Sequence, residues 1–262
     1  MHKEYDLAND HRFRWAACQL DVLRKCVNPK KLKEALHNLP PTLDETYCRI
    51  LCAIDDDFQE YAIRILRWLA FSTRPLRLAE VAGVMAVNPD SDPAFNRDEV
   101  LKDPLDVGSI YSSLITVTSG DEQSQGPLVL LAHYSVKEYL VSTRIQRSRA
   151  ALYGLNERMC HEWIARCCLK YLLQFTKPNT LTRQNRDQFA IATYSAAEWM
   201  KHMKEASDSE NMILEAILAL LDEESKPYII WIRCMMLINH ISWKTRGGYK
   251  KVLLHLYTTR VA

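Results

Sequence analysis

The sequence predicts a mostly α-helical protein, in which a helical segment is followed by a winged helix with a small β-hairpin and then by a C-terminal helical bundle. Two observations predict this fold. Apolar residues recur at three- and four-residue spacing through most of the chain, and two short apolar runs flank a polar loop at 120–127. Three helices followed by a hairpin is the order of elements in a winged helix.

The composition is that of an ordinary globular chain. Of its 262 residues, 48% are hydrophobic and 25% are charged, and a net charge of +2 provides no general attraction to nucleic acid or to an anionic membrane. The longest apolar run, Tyr228–Ile241, is too short to span a bilayer. The eight cysteines are scattered through helical stretches and no signal-type segment occurs, so we expect a cytoplasmic protein with reduced thiols.

The N-terminal part, 1–58, is predicted to be a helical segment. Its first helix is expected from about Arg12, and a short amphipathic helix is expected over Lys30–Leu39. Thr42 and Glu45 then have the spacing of a capping box, in which two side chains satisfy backbone N–H groups at a helix start. A third helix is therefore expected directly after Thr42.

The rest of the chain divides into three predicted parts. Residues 59–145 are predicted to form the winged-helix domain, with three helices and a first strand over Glu60–Phe71, Leu78–Val87, Pro104–Leu114 and Ile115–Ser119. Residues 146–245 are predicted to form a helical domain, with helices over Met159–Phe175, Arg186–Met203, Asn211–Leu221 and Pro227–Asn239. Residues 246–262 are an atypical tail.

The chain is organised around the stretch Leu128–Leu140. Its apolar first half predicts a short strand that is buried on both faces. Ser135, with Glu138 three residues later, predicts a capping box, so a helix is expected to begin at once. His133 lies at this junction among apolar residues, where its ring needs a hydrogen-bond partner or a ligand.

Four segments together carry a resemblance to a known family. They are FRWAACQL at Phe13–Leu20, LPPTLDETY at Leu39–Tyr47, AIRILRWLA at Ala62–Ala70 and AHYSVKEYL at Ala132–Leu140. In this order they resemble the region that follows the nucleotide-binding core in fungal NACHT-type (STAND) signal-transducing ATPases, many of which carry ankyrin repeats. The part 59–145 resembles the winged-helix domain that is named after GPI inositol-deacylase.

The resemblance implies a regulatory fragment of an intracellular switch protein, with a NACHT core before it and ankyrin repeats after it. No G-x-x-x-x-G-K-[ST] segment occurs, and the seven glycines provide no other phosphate-binding loop. The chain is therefore not expected to bind ATP or to be an enzyme by itself. ATP or ADP is implied only for the missing NACHT core, and the implied partners are that core, the ankyrin repeats and other proteins.

His133 is the candidate cofactor-binding residue, and two interpretations stay open. The resemblance implies that a histidine between the wing strand and the next helix contacts the β-phosphate of ADP in the NACHT core and holds the closed state. Ser135 would then supply the helix cap that an aspartate often supplies in relatives. The alternative is a buried histidine that is hydrogen-bonded to backbone.

No metal site and no catalytic residue is predicted. Four residues of types that bind metals lie close in the sequence: Cys160, His161, Cys167 and Cys168. Two of these cysteines fall on an apolar stripe and no C-x-x-C pair has a matching partner, so core packing is expected. No G-x-S-x-G occurs, and the scattered Ser, His and Asp residues show no arrangement typical of a hydrolase.

Two other functions are known alternatives for a fold of this kind. Winged helices often bind DNA, but Asp103–Ser113 holds two aspartates and no basic residue and the wing loop is acidic, which disfavours binding to nucleic acid. A free-standing protein–protein interaction module is the second alternative.

Two positions depart from the family pattern. Arg77 stands where relatives tend to place Thr or Ser as the cap of the second winged-domain helix, a change that removes about 1 kcal/mol of capping. At the other end, suitable codons for His255–Arg260 read one base earlier spell Ser-Pro-Leu-Tyr-Tyr-Ala, the start of a typical first ankyrin repeat. We therefore expect the last residues to be a frameshifted start of such repeats.

Overall fold

The computed structural model describes residues 2–104, 113–119, 126–175, 181, 186–206, 210–222 and 226–239. It is mostly helical with a small three-stranded antiparallel sheet, which confirms the predicted fold class. The helices of the described residues are α1 (His2–Arg24), α2 (Pro29–His37), α3 (Leu43–Cys52), α4 (Gln59–Phe71), α5 (Leu78–Met85), α6 (Tyr134–Val141), α7 (Thr143–Gln146), α8 (Glu157–Leu173), α9 (Ala192–Glu205), α10 (Glu210–Leu221) and α11 (Lys226–Asn239). The strands are β1 (Leu76–Arg77), β2 (Ile115–Val117) and β3 (Leu128–Leu131).

The N-terminal helices begin at residues that cap them. Asn28 and Thr42 accept the backbone N–H groups of Lys31 and Glu45 at 2.9 and 3.2 Å, so the predicted cap at Thr42 is confirmed. The predicted start of α1 at about Arg12 is wrong, because the helix begins at His2 and includes Asp10, whose side chain contacts His133 just before α6.

The sheet places β3 between β1 and β2. Val129 pairs with Leu76 on one side and with Val117 on the other. The prediction that this strand is buried on both faces is wrong, because Val129 is buried while its neighbours are only partly covered. The order of α4, β1, α5, β2 and β3 agrees with a winged helix. Residues 105–112 of the predicted helix Pro104–Leu114, residues 120–125 of the wing loop and the predicted tail 246–262 lie outside the described residues.

Arg77 is the N-cap residue of α5, and its side chain makes no capping hydrogen bond, in agreement with the sequence. The carboxylate of Glu80 compensates for this. It accepts the backbone N–H of Arg77 at 2.8 Å and two guanidinium N–H groups of Arg74 at 2.8 and 2.6 Å. Glu80 is only 2% exposed, so this bidentate pair holds the turn between α4 and α5 in a partly dry environment.

One continuous apolar core runs from Cys18 in α1 to Cys234 in α11. Helix α8 lies in the middle of the second half and packs against α4, α9, α10 and α11. The Trp68 ring in α4 meets the rings of Trp163 and Tyr194 edge to face at 6.5 and 5.4 Å. Because this core crosses residue 145, the boundaries 59–145 and 146–245 stay predictions. None of the described helices is long and apolar enough to cross a membrane.

The Glu80 pair gives a test of what holds the α4–α5 turn. Glu80→Ala is expected to lower the free energy of unfolding by about 2 to 3 kcal/mol, because it leaves the Arg74 guanidinium and the Arg77 N–H without their acceptor. Urea denaturation measures the change. The control is Glu34→Ala, which removes an exposed pair with Lys31 and should cost less than about 0.5 kcal/mol; equal losses in both variants would contradict this role of Glu80.

Candidate functional site

His133 lies between β3 and α6, where the sequence places it, and it caps the helix. Its backbone is extended, with φ −163° and ψ 150°, and its ring Nδ1 accepts the backbone N–H of Ser135 at 3.2 Å. The predicted cap at Ser135 is therefore wrong. The imidazole nitrogen accepts the N–H that a serine or aspartate oxygen usually accepts at this position, so α6 begins at Tyr134, two residues earlier than a cap at Ser135 would place it.

A line of hydrogen bonds passes through this histidine from the core to the surface. The Tyr47 hydroxyl lies 2.8 Å from Ser135 Oγ, which lies 2.6 Å from His133 Nδ1. On the other side of the ring, Nε2 lies 3.0 Å from a carboxylate oxygen of Asp10. Since Nδ1 accepts a backbone N–H, the ring hydrogen is assigned to Nε2, which donates it to Asp10.

Burial changes steeply along this line. Tyr47 is 1% exposed and Ser135 is 4% exposed, whereas the side chains of His133 and Asp10 are 16% and 50% exposed. Burial raises the pKa of Tyr47, against hydrogen bonds from Ser135 and Arg14 that lower it, so the phenol keeps its proton and acts as a donor. The polar group that reaches the surface is thus the Nε2–H of His133 with its carboxylate partner.

Other side chains surround the outer edge of the ring. His11 Nε2 lies 3.4 Å from a carboxylate oxygen of Glu138, and the ring of Tyr134 lies 4.2 Å from the His133 ring. Arg14 donates a hydrogen bond to the backbone carbonyl of Ser113. Helix α1 therefore holds this corner of the molecule through Asp10, His11 and Arg14, which contact His133, Glu138 and Ser113.

The hydrogen bonds of His133 can be compared with its two interpretations. The ring is hydrogen-bonded to backbone, as the alternative interpretation expects, but it is half-buried and its second nitrogen faces a partly exposed carboxylate. The contact with an ADP phosphate stays a prediction.

Asp10, His133 and Ser135 form a hydrogen-bonded line of the types found in hydrolases. The sequence alone does not show this line, because Asp10 and His133 are 123 positions apart. The arrangement is nevertheless a poor nucleophilic site. Ser135, in the first turn of α6, is buried and its hydroxyl is hydrogen-bonded to Tyr47 and His133, so a substrate cannot approach it.

A second polar cluster lies in the core between α4, α8 and α9, and no sequence signal pointed to it. His161 Nδ1 lies 2.8 Å from His202 Nδ1, and His202 Nε2 lies 2.8 Å from the Tyr194 hydroxyl. Thr73 donates its backbone N–H to Tyr194 and its hydroxyl to Glu198. Burial lowers the pKa of His161, and burial together with the neighbouring His161 lowers the pKa of His202 to about 3. Both rings are therefore neutral at physiological pH.

The position of this cluster shows how the candidate metal-binding residues Cys160, His161, Cys167 and Cys168 are used. His161 turns toward His202, while the cysteines beside it are buried, and burial raises the pKa of Cys160 to about 11 and of Cys168 to about 12. In the part of the chain that the structure describes, no group of three or more His, Cys, Asp or Glu side chains could hold a metal ion. The four residues contribute to the packing of α8.

The fold and the site define a mostly α protein in which an antiparallel sheet and its helices share one core with a helical bundle. The chain is 30% identical over 226 residues to the azaphilone pigments biosynthesis cluster protein L of Monascus ruber, a match that covers 86% of this chain and 48% of that protein. The chain thus spans about half the length of this curated relative. No protein-family model matches the chain, and no solved structure matches it.

The cap at His133 can be separated from its contact with Asp10. His133→Ala is expected to lower the free energy of unfolding by about 1 to 2 kcal/mol, because α6 loses the acceptor of its Ser135 N–H. His133→Asn keeps a good capping side chain and should lose less than about 0.5 kcal/mol. Chemical denaturation measures the free energy of unfolding of both variants. An equal loss in the two would mean that the contact with Asp10, and not the cap, stabilises the fold.

The buried histidine pair predicts a loss of stability in mild acid. The pKa values of His161 and His202 are lowered by folding, so below pH 6.5 the unfolded chain binds more protons than the folded chain. The free energy of unfolding should be constant above that pH and fall below it by at most about 1.4 kcal/mol per pH unit for each histidine. Urea denaturation at pH 7.5 and pH 5.5 measures this change for the unsubstituted chain and for the double variant His161→Gln/His202→Gln. The free energy of unfolding of the double variant should depend less on pH. An equal pH dependence in both chains would contradict the assignment of the change to these two histidines.

Proposed function

We propose that this chain is a non-catalytic regulatory region of a fungal NACHT-type (STAND) signalling ATPase, in which the winged helix and the helical bundle control the nucleotide-bound closed state. The observation that carries the proposal is the position of His133. It lies at the junction of a strand and a helix, and it presents an N–H donor to the surface.

The surroundings of His133 suit a phosphate. Its Nε2–H is a fixed donor at the first turn of α6, where the aligned N–H groups of the helix favour negative charge. In the described structure a carboxylate of Asp10 takes the place of such an anion. We propose that the phosphate of ADP in a NACHT core and the carboxylate of Asp10 compete for this donor, so that Asp10 stabilises the open state.

Other observations fit the same proposal. The burial of Ser135 favours a hydrogen-bonding role over a catalytic one. The match with the Monascus ruber protein covers 48% of its length, which leaves room in that relative for further domains. On this proposal the chain acts in the cytoplasm, its partners are a NACHT core and ankyrin repeats, and ATP or ADP binds only to the core.

A second candidate function is a free-standing protein–protein interaction module. One observation favours it: Phe13, Leu20 and Val27, on and just after α1, are 76%, 53% and 88% exposed. Large apolar side chains that are exposed close together often mark an interaction site. The two candidates differ in whether the chain binds a NACHT core in a manner that depends on the bound nucleotide.

The first experiment is to sequence the full-length transcript and the genomic DNA on both sides of this reading frame. The proposal expects a P-loop ATPase upstream in frame and ankyrin repeats downstream in either frame. Flanks that encode neither would overturn it and leave the interaction module as the function to test.

The second experiment measures ADP release from the full-length protein with a fluorescent ADP analogue. His133→Ala should speed release by about tenfold or more, because a charge-assisted hydrogen bond is lost. Asp10→Ala should slow release, because the competing anion is removed. Lys31→Ala, an exposed position on α2, is the control and should leave release unchanged; release that is unaltered in the first two variants would place His133 away from the phosphate.

A further inference from the structure

Helix α2 forms without contributing a buried residue to the fold. Asn28 accepts the backbone N–H of Lys31 at 2.9 Å, and Pro29 occupies the first helical position, where an N–H is not needed. At the other end, the Asn38 side chain donates to the Glu34 carbonyl at 2.9 Å. No residue of α2 is buried, so its caps, and not a buried face, define where this helix begins and ends.

The apolar side chains of this helix are left in water. Leu32 and Leu36 are four residues apart, so they lie on one side of α2, and they are 38% and 50% exposed. Val27 precedes the N-cap residue and Leu32 is the fourth helical residue, and these two positions are neighbours at a helix start. Val27 is 88% exposed, so the three residues form an apolar patch that the described part of the chain leaves largely uncovered.

Basic residues surround this patch. Five of the ten residues 24–33 are basic and none is acidic: Arg24, Lys25, Lys30, Lys31 and Lys33. All five are exposed. Lys31 and Lys33 are the sequence neighbours of Leu32, and at about 100° per residue they flank it on the two sides of the helix. The stems of such lysines lie along an apolar surface while their ammonium groups reach an anion beside it.

The positive charge is only partly paired within the structure. Arg24 pairs with Asp21 at 3.7 Å and Lys31 pairs with Glu34 at 3.0 Å, and both pairs are exposed to water, where an ion pair is weak. Lys30 makes no ion pair within the part of the chain that the structure describes, and neither does Lys33. Residues 21–34 hold five basic and two acidic side chains, so a local positive charge remains in a chain whose net charge is only +2.

We propose that α2 and the segment before it bind the surface of an anionic membrane. Val27, Leu32 and Leu36 enter the headgroup layer, and the basic side chains of residues 24–33 contact the anionic headgroups. Clusters of four or more Lys and Arg on an amphipathic helix are typical of segments that bind anionic lipid, and exposed leucines on the same helix add an apolar contact. The proposal does not depend on the role proposed for His133.

The contact is peripheral to the membrane. Helix α2 has nine residues and is about 14 Å long, so it can lie in the plane of a bilayer but cannot cross a hydrocarbon core about 30 Å thick. The Arg49 guanidinium donates to the Asn38 carbonyl at 2.8 Å, which ties the end of α2 to α3. Because the helix is already formed and held in place, binding does not require the ordering of a flexible segment.

Nucleic acid is the other polyanion that such lysines could contact. Proteins that bind single strands combine basic side chains with aromatic rings on which the bases stack, and residues 24–37 contain no Phe, Tyr or Trp. The exposed leucines of α2 also have no counterpart on a phosphate backbone. The composition of this surface therefore favours lipid.

The first test measures co-sedimentation of the full chain with vesicles. It compares vesicles of phosphatidylcholine alone with vesicles in which about a third of the lipid is phosphatidylserine. The chain should bind the anionic vesicles and not the neutral ones, and binding should weaken as the salt concentration rises. No binding to the anionic vesicles, or equal binding to both kinds, would overturn the proposal.

The second test removes the lysines of α2. The triple variant Lys30→Gln/Lys31→Gln/Lys33→Gln should bind the anionic vesicles about 100-fold more weakly, because each cation near an anionic surface contributes about a factor of five. Since no residue of α2 is buried, this variant should keep the fold, which circular dichroism checks.

A matched control separates these lysines from the net charge. Arg158→Gln/Lys170→Gln/Lys204→Gln removes three exposed positive charges from α8 and α9 and gives the same net charge as the lysine variant. It should bind the anionic vesicles as the unsubstituted chain does. Equal losses in the two triple variants would show that net charge, and not α2, attracts the vesicles, and would overturn the proposal.

The third test removes the apolar contact. Leu32→Gln/Leu36→Gln should weaken binding to the anionic vesicles about tenfold or more, because two leucine side chains no longer leave water. The control is Leu214→Gln/Leu218→Gln, a pair with the same spacing on α10 that is 38% and 57% exposed and should leave binding unchanged. Full binding by a folded Leu32→Gln/Leu36→Gln chain would overturn the proposal.

The same variants distinguish lipid from nucleic acid. The chain is titrated with a fluorescently labelled single-stranded RNA at the salt concentration of the vesicle assay. The proposal expects weaker binding to the RNA than to the anionic vesicles. Tighter binding to the RNA that the lysine variant loses and the leucine variant keeps would assign this surface to nucleic acid and overturn the proposal.

Discussion

The contacts of the buried Tyr194 side chain are the interactions on which most of the structure depends. Its ring packs edge to face on Trp68 and lies under the guanidinium of Arg74 at 4.9 Å. Its hydroxyl accepts the backbone N–H of Thr73 and lies 2.8 Å from His202. One side chain therefore satisfies a polar backbone group at the end of α4 and a histidine in the bundle at once. Because these groups are away from water, removing the hydroxyl would leave the Thr73 N–H and His202 Nε2 without this partner.

The site around His133 uses the same chemistry at the surface. In both places an imidazole makes polar contacts through both ring nitrogens and is joined to a tyrosine hydroxyl, directly at His202 and through Ser135 Oγ at His133. The two sites differ in their exposure to solvent. His202 is fully buried and is held neutral by its surroundings, whereas His133 has a half-exposed carboxylate on its outer nitrogen. An exposed pair of this kind can exchange its anion for another, which a buried pair cannot do without unfolding.

Much of the fold could be predicted from the sequence, and the failures have physical causes. The helix after Thr42 and the strand at Leu128 follow from local signals, which are caps and apolar periodicity. The cap at His133 was missed because a histidine nitrogen replaces the usual oxygen, a substitution that a serine-based pattern does not contain. The hydrogen-bonded chains from Asp10 to Tyr47 and from His161 to Thr73 could not be predicted from the sequence. Their residues are far apart in sequence, and each one alone resembles an ordinary polar residue. Local rules describe elements, while these sites come from packing between elements.

The length of α1 has a mechanical consequence. Twenty-three residues at about 1.5 Å each form a rod of roughly 35 Å, and an α-helix changes its length little under small loads. Gln19, in the C-terminal half of this rod, donates to Thr46 of α3, and Asp10 lies about two and a half turns further toward the N-terminus. Between these two points His11 and Arg14 hold α1 to Glu138 and Ser113. A rotation of the rod about Gln19 would displace Asp10 from His133 most, because displacement grows with distance from the fixed point, and would load the contacts of His11 and Arg14 less.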